Sequence, residues 1–147
     1  MNQVLSGQSV LLVSQSGWPL PSFKFGVEAL GGKIDRFLLS YSMSRPDWSD
    51  FGKSHALKNQ ELRDHVGRLS PKPHWAIFVT YDDSLEIETL KFFKKLGIRT
   101  ICYHVDMVNQ WYRVLKTGRY FDLVACAQLA HRCERIVQTG FCKDFDA

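Results

Sequence analysis

The feature that most constrains the fold is a regular alternation of short apolar runs with longer amphipathic segments. Five runs are predicted to be buried strands because they are apolar along most of their length, as strands covered on both faces are. Each run is followed by a segment with helical spacing of its apolar residues. The expected strands are 10–14, 34–41, 74–81, 99–105 and 121–127, and the expected helices are 23–30, 54–69, 85–96, 109–119 and 128–139.

Local signals mark the ends of several predicted helices. Ser22 is a candidate N-cap for the first helix, and Gly31 follows its last turn. Asp83 or Ser84 is expected to cap the third helix, and Gly97 to end it. These boundaries imply that consecutive strands are joined by helices.

Strand–helix–strand units of this kind form a parallel sheet, since right-handed crossovers place the helices against its faces. We therefore predict an α/β fold with a Rossmann-like, doubly wound parallel sheet of about five strands, flanked by helices in three layers. The length of 147 residues fits a single domain over residues 1–147.

The charge pattern limits the classes of binding partner that can be expected. Nineteen Lys and Arg against fifteen Asp and Glu give a net charge of +4. The densest basic groups, Lys91–Lys95 and Arg113–Arg119, are interpreted as solvated helix faces, with anionic-ligand contact as the alternative. A nucleic-acid binder usually carries a denser basic stripe, so no nucleic-acid partner is expected.

Cysteine usage and hydropathy indicate a reducing, cytoplasmic setting. The four cysteines have no zinc-ligand spacing and no secretory signal precedes them, so neither disulfides nor a metal site is expected. The longest apolar runs, "VLLV" and "WAIFV", are too short for a membrane span or a signal peptide.

Known nucleotide-binding motifs do not occur. The turn after the first strand, "SQSGWPLPS", is neither GxGxxG nor a phosphate-binding GxxxxGK[ST] loop, so NAD is not expected. "YDD" at 81–83 resembles the acidic pocket of a response regulator, but the first strand ends without an acid and a lysine after the fifth strand is missing. We therefore reject that interpretation.

A ligand of a doubly wound sheet binds beyond the carboxyl ends of the strands, where the strand order reverses. The residues after each predicted strand are therefore the candidate substrate-binding positions. They are Ser16, Gly17, Trp18, Asp82, His104, Asp106 and Gln128.

Each candidate has a structural alternative. Gly17 can allow close backbone approach by a ligand, or it can simply shape a loop with Pro19 and Pro21. His104 and Asp106 lie two apart and should share one side, where they can hold a sugar hydroxyl or act as a general base. Alternatively, Asp106 caps the next helix and His104 packs at the strand end. Asp82 fits helix capping as well as ligand contact.

The segment from Leu90 to Phe141 resembles the amino-terminal half of CgeB-like, spore-maturation-type glycosyltransferases of group 1. The matching features are an "LG" turn at Leu96–Gly97, an aspartate-bearing loop at Asp106, "FDLV" at 121–124 and "GF" at 140–141. The first strand and its loop, "VLLVSQSG", fit the same pattern. The chain has His104-Val-Asp106-Met where the family commonly has Asp-Asp-Pro.

The resemblance implies the acceptor-side, amino-terminal domain of a two-domain GT-B enzyme, inactive by itself. A nucleotide sugar and an acceptor are then the substrates, with the donor held mainly by a second Rossmann-like domain or subunit. No metal or other cofactor is implied, because helix dipoles and basic residues can neutralise the diphosphate.

The alternative from the residues themselves is a non-enzymatic, flavodoxin-like binding or interaction module, favoured by the lack of a strong catalytic motif. Four aromatic residues at the rim would then anchor a partner protein. These residues are Trp18, Trp48, Trp111 and Tyr112.

Overall fold

The computed structural model of the chain describes residues 4–15, 17, 19–39, 48–80, 84–104 and 116–126. Its strands are β1 (Ser9–Ser14), β2 (Lys33–Leu38), β3 (Trp75–Val79), β4 (Arg99–His104) and β5 (Leu123–Cys126). Its helices are α1 (Leu20–Ala29), α2 (Trp48–Arg68) and α3 (Ile87–Lys95), and a 3₁₀ turn spans Gly118–Tyr120.

All five strands form one parallel sheet in the order β2-β1-β3-β4-β5. Among the described strands, β2 and β5 are therefore the two outermost. The parallel direction confirms the predicted fold class, and it brings the carboxyl ends of all five strands to a single rim. The prediction from unbroken apolar runs succeeds because helices cover the sheet on both sides.

The pairing register assigns residues to two faces of the sheet. Leu11 pairs with Ala76, and Ala76 with Thr100, so these three residues share one face. We call it the α2/α3 face, because Leu11 and Ala76 belong to one buried cluster with Leu62 of α2 and Phe93 of α3. Every residue of β3 and β4 on this face is almost fully buried.

The opposite face carries α1 and is called the α1 face. Val27 is the buried residue of α1, and the helix packs along β1 and β2. The Phe23 ring meets Tyr103 of β4 edge-on at 5.2 Å between centroids. The step from β1 to β2 runs in one direction across the sheet, and the later steps to β3 and β4 run in the other. Right-handed crossovers therefore place α1 on one face and α2 and α3 on the opposite face.

The beginnings of two helices differ from the predictions. Pro19, and not Ser22, is the N-cap of α1, so Ser22 lies inside the first turn. Pro21 is tolerated there because the first turn leaves its backbone N–H groups without helical acceptors. The N-cap of α3 is Glu86 rather than Asp83 or Ser84, and its own side chain makes no capping hydrogen bond.

Other boundaries shift as well. α2 begins at Trp48, six residues before the expected start, and β2 ends at Leu38 instead of Tyr41. The 3₁₀ turn at Gly118–Tyr120 lies where the fourth helix was expected to end. Most of that predicted helix, and all of the fifth at 128–139, lie outside the described residues.

Candidate functional site

The strand order creates a crevice at the carboxyl ends of β1 and β3. β1 lies between β2 and β3, and the chain leaves β1 toward one neighbour and reaches the other only after two crossovers. This reversal is the topological switch point at which open α/β sheets bind ligands. The crevice between the ends of β1 and β3 is therefore the candidate site.

Two side chains join the loops on either side of this crevice. Gln15 directly follows β1, and its Nε2 donates a hydrogen bond of 2.7 Å to the Oγ of Ser84, which follows β3. Ser84 is only 1% exposed, while Gln15 is half-buried and so reaches from the interior toward solvent. The bond holds Gln15 and Ser84 together across the crevice and orients the Gln15 amide.

Gln15 is the first of three polar residues that lie in a row across neighbouring strands, followed by Thr80 and His104. Ser14 pairs with Val79, so the next residues, Gln15 and Thr80, lie side by side on the α2/α3 face. Extending the β3–β4 register by two residues places His104 beside Thr80 on the same face. Thr80 is 7% exposed and His104 2%, so the row runs beneath the covering helices. Amide, hydroxyl and imidazole groups at one end of the sheet can donate to and accept from a polyhydroxylated ligand.

The crevice is braced by a buried amide of α2. Asn59 is fully buried, and its Nδ2 donates to the Ser84 carbonyl oxygen at 3.2 Å and to that of His55 at 3.0 Å. Its Oδ1 accepts from the Glu86 backbone N–H at 3.0 Å and from Thr89 Oγ1 at 2.8 Å. Asn59 therefore caps α3 from a different helix, which explains how α3 begins without a local capping side chain.

Arg63, one turn further along α2, completes the brace. Its Nη1 donates to Glu86 Oε2 at 2.9 Å and to Thr89 Oγ1 at 2.8 Å, and Nη2 donates to Gln60 Oε1 at 2.9 Å. The ion pair with Glu86 is partly buried, so it is screened less than a surface pair. α2 and the first turn of α3 are thus held as one unit behind Ser84.

A positive charge lies beside the loop that follows β1. A Cβ atom placed on Gly17 would come within 3.3 Å of the Arg36 Nη1, so the glycine lets the guanidinium approach the backbone closely. Arg36 is exposed, and the first turn of α1 nearby contains no acidic residue. The field at this end of the crevice therefore favours an electron-rich ligand.

The structure describes two of the seven predicted site residues. Gly17 and His104 both lie at the carboxyl rim, and His104 is buried there, which is compatible with the alternative that it packs at the strand end. The other five candidates lie outside the described residues: Ser16, Trp18, Asp82, Asp106 and Gln128.

The predicted site residues do not include Gln15 and Thr80 of the row, nor Ser84, which accepts the hydrogen bond from Gln15. A signal was available for Gln15 and Thr80, because each is the polar residue that directly follows the last residue of its strand, β1 or β3. Their partnership depends on which strands are neighbours, and the residue pattern does not give that order.

The described residues contain no group of three or more His, Cys, Asp or Glu side chains that could hold a metal ion. None of the helices in the described part of the chain combines the length and the apolar character that a membrane crossing requires.

No protein-family model and no curated protein sequence matches the chain. Among solved structures, it is similar to YbdL from Escherichia coli, for which a methionine aminotransferase function has been identified. The identity is 19% and the TM-score 0.41, over 68% of this chain and 24% of that chain. The chain thus spans about a quarter of the length of YbdL, and a likeness at this level carries no argument about activity.

Proposed function

We propose that this chain is the acceptor-side domain of a nucleotide-sugar-dependent glycosyltransferase and binds its acceptor at the crevice between β1 and β3. The observation that carries the proposal is the Gln15–Ser84 hydrogen bond at the switch point, continued by the polar row to His104. Hydroxyl groups of an acceptor are donors and acceptors at once, which suits amide, hydroxyl and imidazole partners.

In this proposal the residues of the chain bind and orient the acceptor. Gln15 and Thr80 hydrogen-bond acceptor hydroxyls, and His104 accepts the proton of the hydroxyl that attacks the sugar. The attack forms the new glycosidic bond at the anomeric carbon while the nucleoside diphosphate leaves. A second Rossmann-like domain or subunit would hold most of the donor, and Arg36 would favour its negative charge at the shared cleft.

The sequence resemblance in Leu90–Phe141 supports the same assignment, although the His104-Val-Asp106 loop departs from the family pattern. A cytoplasmic setting, inferred from cysteine usage, agrees with nucleotide sugars as substrates. No metal or other cofactor is part of the proposal.

The test is calorimetric titration of the protein with a panel of nucleoside-diphosphate sugars and hydroxylated acceptors. We expect an acceptor to bind, and Gln15→Ala to weaken its affinity about fivefold, since a hydrogen bond contributes about 1 kcal/mol. Lys95→Ala, which truncates an exposed side chain in the last turn of α3, is the control and should leave the affinity unchanged. Binding by no member of the panel, or equal binding by the Gln15→Ala protein, would contradict the proposal.

A second candidate function is a non-enzymatic binding or interaction module. The order β2-β1-β3-β4-β5 favours it, because flavodoxin has the same order and binds its ligand at the same switch point. A protein partner that binds the chain tightly, together with no response to the small-molecule panel, would select the module over the glycosyltransferase.

A further inference from the structure

Positive charge is concentrated at the end of the sheet where the strands begin, opposite the carboxyl rim. We call this end the amino rim, and it comprises the last turns of the helices, the 3₁₀ turn and the chain that leads into each strand, at 4–9, 26–33, 65–75, 92–99 and 118–123. It contains seven Lys or Arg and two Asp or Glu, and seven minus two is +5. The complete chain carries +4, so the rest of the chain is close to neutral. The first turns of α1 and α3, at the opposite end, contain no Lys or Arg.

Backbone hydrogen bonds align the starts of the strands along the amino rim. The Lys33 N–H donates to the Gln8 carbonyl oxygen at 2.9 Å, and the His74 N–H donates to that of Ser9 at 2.9 Å. The Arg99 N–H donates to the His74 carbonyl oxygen at 3.1 Å. The starts of β2, β1, β3 and β4 therefore form one row, and with β5 beside them the row is about 19 Å wide.

The acids of the amino rim do not neutralise its cations. Asp122 Oδ2 accepts hydrogen bonds from the backbone N–H and Oγ1 of Thr100 at 2.7 and 3.0 Å, and Glu28 pairs with Lys24 at 3.9 Å. Lys72 Nζ donates to two backbone carbonyl oxygens at the end of α2. The other six cations form no ion pair within the part of the chain that the structure describes, namely Lys33, Arg68, Lys94, Lys95, Arg99 and Arg119.

Compensation of helix dipoles explains only part of this charge. A cation in the last turn of a helix is stabilising, which accounts for Arg68, Lys94 and Lys95. It does not account for Lys33, which begins β2, or for Arg99, which begins β4. The excess of positive charge therefore indicates an anionic partner.

Two guanidinium groups of the amino rim are held in place by aromatic rings. Arg99 Cζ lies 5.0 Å from the centroid of the Trp75 ring, and Arg119 Cζ lies 5.0 Å from that of Tyr120. Arg119 Nη2 also donates to the Tyr120 hydroxyl at 3.1 Å. Stacking over a ring uses the face of a guanidinium and leaves most of its N–H edge to bind oxyanions such as phosphate or carboxylate.

Exposed apolar side chains lie at the same end of the sheet. Val4 precedes β1 and is 67% exposed, while Leu30 follows α1 and Leu123 begins β5, each 42% exposed. The Leu5 N–H donates to the Leu30 carbonyl oxygen at 2.9 Å, so Val4 lies near the end of α1. Cations alone suit any polyanion, but apolar side chains among them are stabilised by a partner that takes them out of water.

We propose that the amino rim binds the anionic surface of a lipid membrane. Its Lys and Arg side chains contact the phosphate and carboxylate groups of the lipids, and Val4, Leu30 and Leu123 enter the boundary between headgroups and acyl chains. A single-stranded nucleic acid fits less well, because its bases stack on aromatic faces, and Trp75 and Tyr120 each hold an arginine over one face. The carboxyl rim then lies about 20 Å further from the membrane, the length of a six-residue strand.

The experiment is co-sedimentation of the protein with vesicles of phosphatidylcholine, with and without phosphatidylserine. We expect the protein to bind only the vesicles that contain phosphatidylserine. The binding should weaken when the salt concentration rises from about 0.1 M to about 1 M, because the Debye length shortens from about 10 Å to about 3 Å.

Two pairs of substitutions distinguish the amino rim from net charge. Lys94→Ala together with Lys95→Ala should weaken binding to phosphatidylserine vesicles about 25-fold, since each cation near an anionic surface contributes about fivefold. Lys24→Ala together with Lys58→Ala removes the same charge outside the amino rim and should leave binding unchanged. Circular dichroism checks that both proteins are folded.

A third substitution tests the apolar contact. Leu30→Ser should weaken binding about fivefold at low and at high salt, because the loss of apolar burial is not screened by ions. An unchanged affinity would overturn the proposal, since the apolar contact is what distinguishes a membrane from other polyanions.

Three further results would overturn the proposal. One is binding to neither kind of vesicle, or equal binding to both. Another is an equal loss for the two lysine pairs, which would make net charge the cause. The third is tighter binding to a single-stranded oligonucleotide than to phosphatidylserine vesicles at the same salt concentration. No sugar or acceptor enters these measurements, so their result is independent of the proposed function.

Discussion

Replacing Asn59 with alanine is the sharpest test of how the crevice is built. The substitution removes four hydrogen bonds from a fully buried position, of which three join α2 to the segment at 84–89. A buried hydrogen bond contributes about 1 kcal/mol net, and a buried partner deprived of its hydrogen bond costs about 1–3 kcal/mol. Thr89 keeps its bond from Arg63, so the losses do not simply add. We expect the free energy of unfolding to fall by about 3 kcal/mol.

Urea unfolding followed by circular dichroism measures this change. With a slope of about 1–3 kcal/mol per molar urea, the midpoint should fall by about 1–3 M. Gln60→Ala is the matched control, because the neighbouring amide is exposed and its loss should change stability by no more than about 0.5 kcal/mol. A loss below about 1 kcal/mol for Asn59→Ala, or equal losses for both variants, would refute the view that Asn59 caps α3 and braces Ser84.

Two further predictions concern packing and charge. Gly32→Ala should destabilise the fold by about 1–3 kcal/mol, because the new Cβ would lie 3.0 Å from Val27 Cγ1. Gly26→Ala should instead stabilise the fold by about 0.5–1 kcal/mol, because Gly26 lies inside α1 and the new Cβ would meet nothing within 4 Å. Thermal unfolding measures both variants, and a Gly32→Ala protein more stable than the Gly26→Ala protein would contradict the packing argument. The hydrogen bond from Lys91 Nζ to Glu88 at 2.8 Å, and secondarily the Glu88 charge, raises the pKa of Lys91, so at alkaline pH this ion pair is lost as the pH rises through that raised pKa. Glu88→Gln should lower the Lys91 titration midpoint in an NMR titration, and an unchanged midpoint would rule out Glu88 as the cause.

The sequence predicted the parts of the fold that depend on local patterns. Unbroken apolar runs such as "WAIFV" indicated parallel strands with both faces covered, and the structure confirms them. Gly97 ends the third helix with a positive φ of 72°, as a glycine after a helix commonly does. These features succeed because the relevant interactions lie within a few residues of each other.

The features that the sequence did not predict depend on contacts between distant parts of the chain. Ser84 resembled a helix cap, but the capping oxygen of α3 comes from Asn59, 27 residues earlier than its partner Glu86. The order of β1 and β3 as neighbours, and hence the meeting of Gln15 with Ser84, depends on tertiary packing across the whole sheet. A local pattern cannot carry information about a partner that only folding brings near, so the predicted site residues did not include Gln15, Thr80 or Ser84.

The composition of β2 has a consequence for how the molecule behaves in a crowded solution. Its six residues include Lys33, Asp35 and Arg36, all exposed, on a strand whose outer backbone groups border no other strand in the described part of the chain. A strand from another chain that tried to extend the sheet there would have to strip water from three charges. That side of the molecule is therefore guarded against growth into aggregates by the same short strand that completes the sheet.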